Sequence, residues 1–165
     1  MPIDPLERPV LDSLDQLSIV WARYEHPPVF TVEQAEGHWA GIDASHCKNL
    51  FLRNKKGTTH YLVVAPFKKP VDVRALTQAL GEDRLSFASP ERLMTHLGLT
   101  PGSVSPFGLI NDARQAVRVV IDADLEAAGR VGFHPNVNTA TVVVSWEDFR
   151  RFLAWRGNIV RVVRL

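Results

Sequence analysis

Short β-branched runs alternate with short capped helices along the whole chain, and no strict strand–helix–strand rhythm orders them. That order predicts an α/β fold: a single compact domain, a mixed β-sheet with surrounding helices. The runs at 19–24, 49–54, 59–65, 84–88, 117–121, 131–134, 139–144 and 159–163 read as strands from their β-branched and alternating content. Val10, Leu11, Leu14 and Leu17 share one helical face over 8–17. Thr31-Val32-Glu33-Gln34 fits a capping box, whose helix runs to about Trp39. Asp72 caps a helix that Gly81 closes, and Ser89-Pro90-Glu91 opens one that ends near Gly98. Residues 122–128 form one or two helical turns. Ser145-Trp146-Glu147-Asp148 resembles a capping box, with Phe149, Phe152 and Leu153 on the inner face that follows.

At 165 residues and 45% hydrophobic, the chain can bury a core without disulfide or metal. No repeat, low-complexity run or linker divides it, so residues 1–165 are expected to be one domain. The lone Cys47 excludes a disulfide framework and a multi-cysteine zinc site. No apolar run reaches the 20 or so residues a membrane span needs. The start Met1-Pro2-Ile3-Asp4-Pro5-Leu6-Glu7 lacks the basic and apolar regions of a signal peptide. A cytoplasmic protein without membrane contact is the expectation.

The net charge of +1 hides an asymmetry. Seven acids and two bases lie between Met1 and Glu36. Between Asp43 and Asp72 stand six bases and no acid: Lys48, Arg53, Lys55, Lys56, Lys68 and Lys69. After Asp148 come five arginines and again no acid. These two blocks either form one positive face that attracts a polyanion, or meet acids brought in from elsewhere in the fold.

Several familiar chemistries are missing. The chain has no Walker A loop, no Gly-x-Gly-x-x-Gly turn and no Gly-x-Ser-x-Gly elbow. The histidines do not fall at zinc-helix spacing, so no metal is expected. Cys47 pairs with His134 as a candidate nucleophile, against the plainer role of core filler. Lys48, followed by Asn49, stands where a loop enters a strand and can set a point charge against a phosphate; otherwise it is a surface lysine. Gly102-Ser103-Val104-Ser105-Pro106 is a loop able to aim backbone groups at a ligand or a developing oxyanion, or simply a tight turn. His134, between two strand-like runs, can position substrate or move a proton near neutral pH, or serve as a satisfied core histidine.

Five segments together resemble the prolyl-tRNA editing domain (YbaK-type) family. They are His26-Pro27-Pro28-Val29-Phe30-Thr31, Lys48-Asn49-Leu50-Phe51-Leu52, Tyr61-Leu62-Val63-Val64-Ala65, Gly102 through Leu109, and Phe133-His134-Pro135 with Asn138-Thr139-Ala140-Thr141. Each is weak alone, but five in order are specific. The chain most resembles the free-standing bacterial members that deacylate alanyl-tRNA(Pro), with no synthetase catalytic domain attached. The resemblance implies an editing fold and hydrolysis of a mischarged aminoacyl ester without a cofactor. It maps the family lysine onto Lys48, the Gly-x-x-x-Pro loop onto Gly102 and Pro106, and the family histidine onto His134. Lys48, Asn49, Gly102 and His134 are thus the expected catalytic residues, and Ser103, Val104, Ser105 and Pro106 the expected substrate-binding loop. Lys55 and Lys56 are the expected tRNA contacts. The implied partners are the acceptor end of tRNA(Pro) and prolyl-tRNA synthetase, and a monomer is expected. A cysteinyl-tRNA(Pro) deacylase of the same family and a non-catalytic tRNA-binding module are the alternatives. Asn136 stands where relatives commonly carry an apolar residue.

Overall fold

The computed structural model describes residues 2–29 and 31–165; Met1 and Phe30, the latter within the motif at 26–31, lie outside the described residues. In chain order the elements are α1 (Arg8–Gln16), β1 (Ala22–Glu25), α2 (Val32–Trp39), β2 (Ser45–Asn54), β3 (His60–Pro66), α3 (Val73–Ala79), β4 (Leu85–Phe87) and α4 (Pro90–Leu97). Two 3-10 turns, Pro101–Ser103 and Pro106–Asn111, precede β5 (Val117–Asp122), and a third, Ala123–Ala127, follows it. The chain ends with β6 (Arg130–Phe133), β7 (Ala140–Ser145), α5 (Trp146–Arg156) and β8 (Val160–Val163).

The strands form one mixed sheet in the order β1-β7-β6-β2-β3-β5-β8, with β4 also on β2. The β6–β2, β3–β5 and β5–β8 pairs are parallel; the β1–β7, β7–β6, β2–β3 and β2–β4 pairs are antiparallel. This is the mixed α/β architecture the sequence predicts. Local chemistry sets most boundaries. The Thr31 hydroxyl accepts from Gln34 N–H while the Gln34 amide accepts from Thr31 N–H, so the predicted capping box of α2 is complete. Asp72 caps α3, Ser89 caps α4 and Ser145 caps α5. Gly98 and Gly157 end their helices at φ of 67° and 78°, the left-handed region a Cβ disfavours.

Two strand boundaries move from their sequence expectation. β1 begins at Ala22, because Ile19 is buried in the main core after a left-handed Ser18 at φ 56°. β2 begins at Ser45, four residues early, because its first residues pair with β6. The mixed polar sequence Ser45-His46-Cys47-Lys48 hides that pairing from any periodicity argument.

β2 is the hinge of the architecture. On one edge it pairs with β3 throughout, from Cys47↔Pro66 to Arg53↔His60. On the other edge its pairing with β6 covers Ser45 and His46, and its pairing with β4 starts at Leu52. Between those two ladders the edge opens at Cys47, Lys48 and Asn49. One core, with Phe107, Phe149 and Phe152 at its centre, fills one side of the sheet, and a smaller one around Leu52, Leu76 and Val120 fills the other.

Candidate active site

The opening in the β2 edge is the floor of a cleft of about 290 Å³. Cys47, Lys48 and Asn49 from β2, Thr31, Ala35 and Trp39 from α2, Pro101, Gly102 and Val104 from the loop, and His134 after β6 line it. Four segments far apart in sequence therefore converge. The Lys48 side chain makes no hydrogen bond or ion pair among the described residues, so its charge is available to a ligand. Asn49 Nδ2–H donates to Val104 O at 3.3 Å and ties the loop to the strand. Its Oδ1 is buried with no partner among the described residues.

His134 Nδ1–H donates to Ala140 O at 2.9 Å, which leaves Nε2 as the acceptor of the neutral ring. Burial holds the imidazole below the ordinary histidine pKa, and nearby His26 pushes the same way, against the backbone hydrogen bond from Ala140. A second histidine lies 5.9 Å away, centroid to centroid: His26. Its Nδ1 contacts Pro27 O at 3.0 Å and its Nε2 contacts Thr141 Oγ1 at 2.9 Å. Trp39 Nε1–H donates to the same Thr141 oxygen at 3.3 Å. In the neutral ring of His26 the chain runs Trp39 to Thr141 to His26 to Pro27, with every polar atom used. It fixes the Trp39 indole at the cleft wall.

Behind Asn49 and His134 lies a second, tiny cavity of about 10 Å³, lined also by Trp39, Cys47, Gly132, Phe133 and Thr141. That is room for about one water-sized sphere, or a methyl group. A Cβ on Gly132 would sit 3.1 Å from Thr141 Cγ2, so the glycine keeps this space from closing.

Of the expected catalytic residues, Lys48, Asn49, Gly102 and His134 all line the one cleft. The substrate-binding loop divides. Val104 faces the cleft, while Ser103, Ser105 and Pro106 are buried beneath it. Ser105 Oγ accepts from Phe107 N–H and so shapes the loop from below. Gly102 keeps an ordinary backbone, and a Cβ there would only touch Asn138 Nδ2 at 3.4 Å. Its lack of a side chain thus leaves the cleft wall bare rather than permitting an unusual turn. Asn136 adopts φ 64°, a left-handed conformation that asparagine tolerates and β-branched residues do not.

Cys47 fits the plainer role of core filler better than that of nucleophile. Burial pushes its thiol up to about 12, and its sulfur belongs to the main core. Part of the two basic blocks meets acids brought in by the fold. Lys68 pairs with Glu36, Lys69 with Asp122 and Asp124, Arg150 with Glu147, Arg151 with Asp148 and Arg164 with Asp124. Lys55 and Lys56 remain exposed and unpaired among the described residues, at the β2–β3 turn. Beside them Arg92 Nη1 contacts Gly57 O and His60 Nε2, both at 3.1 Å. Burial, with His96, Arg92 and Arg53 adding to it, holds His60 down to about 4. That end of β2 is electropositive. Sequence reasoning missed Trp39, Thr141 and Gly132 as site residues. Only fold-level pairing brings them to Asn49; Thr141 stands in the motif at 138–141, while nothing in the local sequence marks Trp39 or Gly132.

Among the described residues no three His, Cys, Asp or Glu side chains converge to hold a metal, and no helix is long and apolar enough to cross a membrane.

The chain matches the family described as the aminoacyl-tRNA editing domain over residues 26–152. It is 43% identical over 160 residues to the prolyl-tRNA editing protein ProX of Acetoanaerobium sticklandii, covering 94% of this chain and 95% of the relative. It is 33% identical to the prolyl-tRNA synthetase associated domain-containing protein 1 of Danio rerio, covering 92% and 83%. A solved structure described as a candidate trans-editing enzyme for prolyl tRNA synthetase superposes with a TM-score of 0.73 at 21% identity, over 99% of both chains. At that identity the likeness speaks for the fold.

Proposed function

The chain belongs to the aminoacyl-tRNA editing domain family, and on that premise we propose that it is a trans-acting deacylase that hydrolyses the ester of mischarged alanyl-tRNA(Pro). The observation that carries the amino-acid choice is the cavity of about 10 Å³ behind Asn49 and His134. An alanine methyl fills it. The proline ring and the cysteine sulfur both exceed it, so alanine is favoured over the cysteinyl alternative. Such a sieve suits the need, because a proline pocket gains only about 1–3 kcal/mol against a smaller side chain and cannot exclude alanine by binding alone.

The ester is already activated, so positioning and charge stabilisation suffice. Lys48 draws in a phosphate of the acceptor end. The backbone at Gly102 and Val104 holds the aminoacyl group over the floor. Water adds to the carbonyl carbon, the carbonyl oxygen carries the developing charge, and collapse breaks the bond to the ribose oxygen. His134 Nε2, an acceptor at neutral pH, orients the water with Asn49. The neighbouring ribose hydroxyl relays the proton to the leaving oxygen. The products are free alanine and intact tRNA. The whole chain, 1–165, acts as one editing unit and as a monomer in the cytoplasm. Its partners are the tRNA(Pro) acceptor end and, as the source of the mischarged substrate, prolyl-tRNA synthetase.

The test is deacylation of alanyl-, cysteinyl- and prolyl-tRNA(Pro) by the purified protein and by Lys48→Ala. Alanine should be lost selectively. Lys48→Ala should lower kcat/KM about 10- to 150-fold, the range for a lost charge-assisted contact. Equal rates on the alanyl and prolyl esters would sink the sieve. Retained tRNA binding without hydrolysis would identify a binding module.

A further inference from the structure

We propose that the aromatic pocket beside the cleft, which shares Trp39 and Phe67 with it, receives the terminal nucleobase of the aminoacylated acceptor end. This rests on the deacylase reading above. The pocket measures about 410 Å³, ample for a purine, and shares Trp39 and Phe67 with the cleft. The base hangs from the ribose that carries the ester, so it must occupy space contiguous with the cleft. This pocket is such a space.

Its walls suit a flat aromatic ligand. The His46 ring stacks on Trp39 at 4.4 Å with the planes 2° apart. Phe67 meets Trp39 edge-on at 4.8 Å and 86°. Two ring orientations nearly at right angles make a corner, in which a planar base stacks on one wall and sets its edge to the other. Both His46 ring nitrogens are buried, so the ring offers this pocket an aromatic surface rather than a hydrogen bond. Burial holds that ring below the ordinary histidine pKa, as suits a wall that takes an uncharged base. The Lys68–Glu36 ion pair, 3.2 Å apart, lines the same pocket and places a cation near the path of the acceptor backbone. The Trp39 indole is pinned by Thr141, so the corner is preformed. Stacking of this kind reads the presence of a base more than its identity.

Ala40 and Ser45 line this pocket and not the cleft, and both are exposed. Ala40→Phe should fill the pocket while leaving Lys48, Asn49 and His134 in place, and Ser45→Phe is the second filling variant. The experiment compares intact alanyl-tRNA(Pro) with alanyl-tRNA(Pro) whose terminal nucleotide lacks its base. For the unaltered protein, loss of the base should raise KM about 5- to 150-fold with kcat changed less than twofold. Either filling variant should raise KM for the intact substrate similarly and show no further penalty on the abasic one. Adenosine 5′-monophosphate should quench tryptophan fluorescence of the unaltered protein, and the filling variants should abolish the quench. Equal KM for the intact and abasic substrates, or quenching that survives both filling variants, would overturn the pocket assignment. If the unaltered protein hydrolyses no alanyl-tRNA(Pro) at all, the deacylase reading fails instead, and the fluorescence titration still decides whether the pocket binds a base.

Discussion

At the scale of single residues, chemistry is set by what surrounds each group. Burial raises the Cys47 thiol to about 12, which disfavours its thiolate. Cys47→Ala should therefore leave deacylation of the alanyl ester within about threefold of the original. It should also enlarge the small cavity and increase hydrolysis of larger aminoacyl esters, which a panel of charged tRNA(Pro) species would measure. His134 carries the opposite lesson. Its pKa lies below the usual histidine value, so the ring stays neutral as pH falls from 8 to that usual value. Activity should hold over that range. It should drop only as pH passes below the ordinary histidine value and Nε2 gains a proton. A pH–rate profile of His134→Gln should lose that acid limb; a limb that persists would move the titration to another group. Lys48, Asn49, Gly102 and His134 were legible only through the resemblance to the editing family, since each motif alone left a plainer reading open. Trp39 and Gly132 lay outside its motifs and Thr141 inside one without a role, because their meeting depends on β6, β7 and α2 being packed against β2.

At the scale of elements, short signals decided more than propensity did. The capping box at Thr31 starts α2, whose Ala35 and Trp39 reach the cleft. Thr31→Ala should cost about 1 kcal/mol and lower Tm by about 2–4 °C, whereas Thr31→Ser should restore both, as a calorimetric scan would show. The segment Ser145-Trp146-Glu147-Asp148 resembles a capping box, and the Ser145 half of it is made: the hydroxyl accepts from Asp148 N–H. The early start of β2 was illegible for a different reason. The Ser45 and His46 pairing partners are Val131 and Gly132, and no local pattern at Ser45 announces a parallel neighbour so distant in sequence. The strands expected at 117–121 and 139–144 fared better because β-branched runs mark strands buried on both faces.

At the scale of the whole molecule, charge follows space rather than sequence. The arginines after Asp148 looked like a free positive block, yet Arg150, Arg151 and Arg164 meet acids on α5 and beyond β5. Lys55 and Lys56 keep their charge at a turn about 20 Å along β2 from Lys48. A nucleic acid seated in the cleft could reach that turn with its backbone. The Lys55→Ala/Lys56→Ala double variant should bind tRNA less tightly, with a log–log salt slope shallower by about 1–2. Its preference for alanine over proline should be unchanged. An unaltered slope would place the tRNA on another face.

The split edge of β2 has a kinetic corollary. The cleft floor takes shape only when β6, some eighty residues downstream, has docked beside Ser45 and His46. Parallel pairings such as β3 with β5 likewise join stretches well separated along the chain, and such contacts form late. In refolding, helix signal should therefore recover before the ability to cleave ester. A chain caught part-way would be structured yet silent.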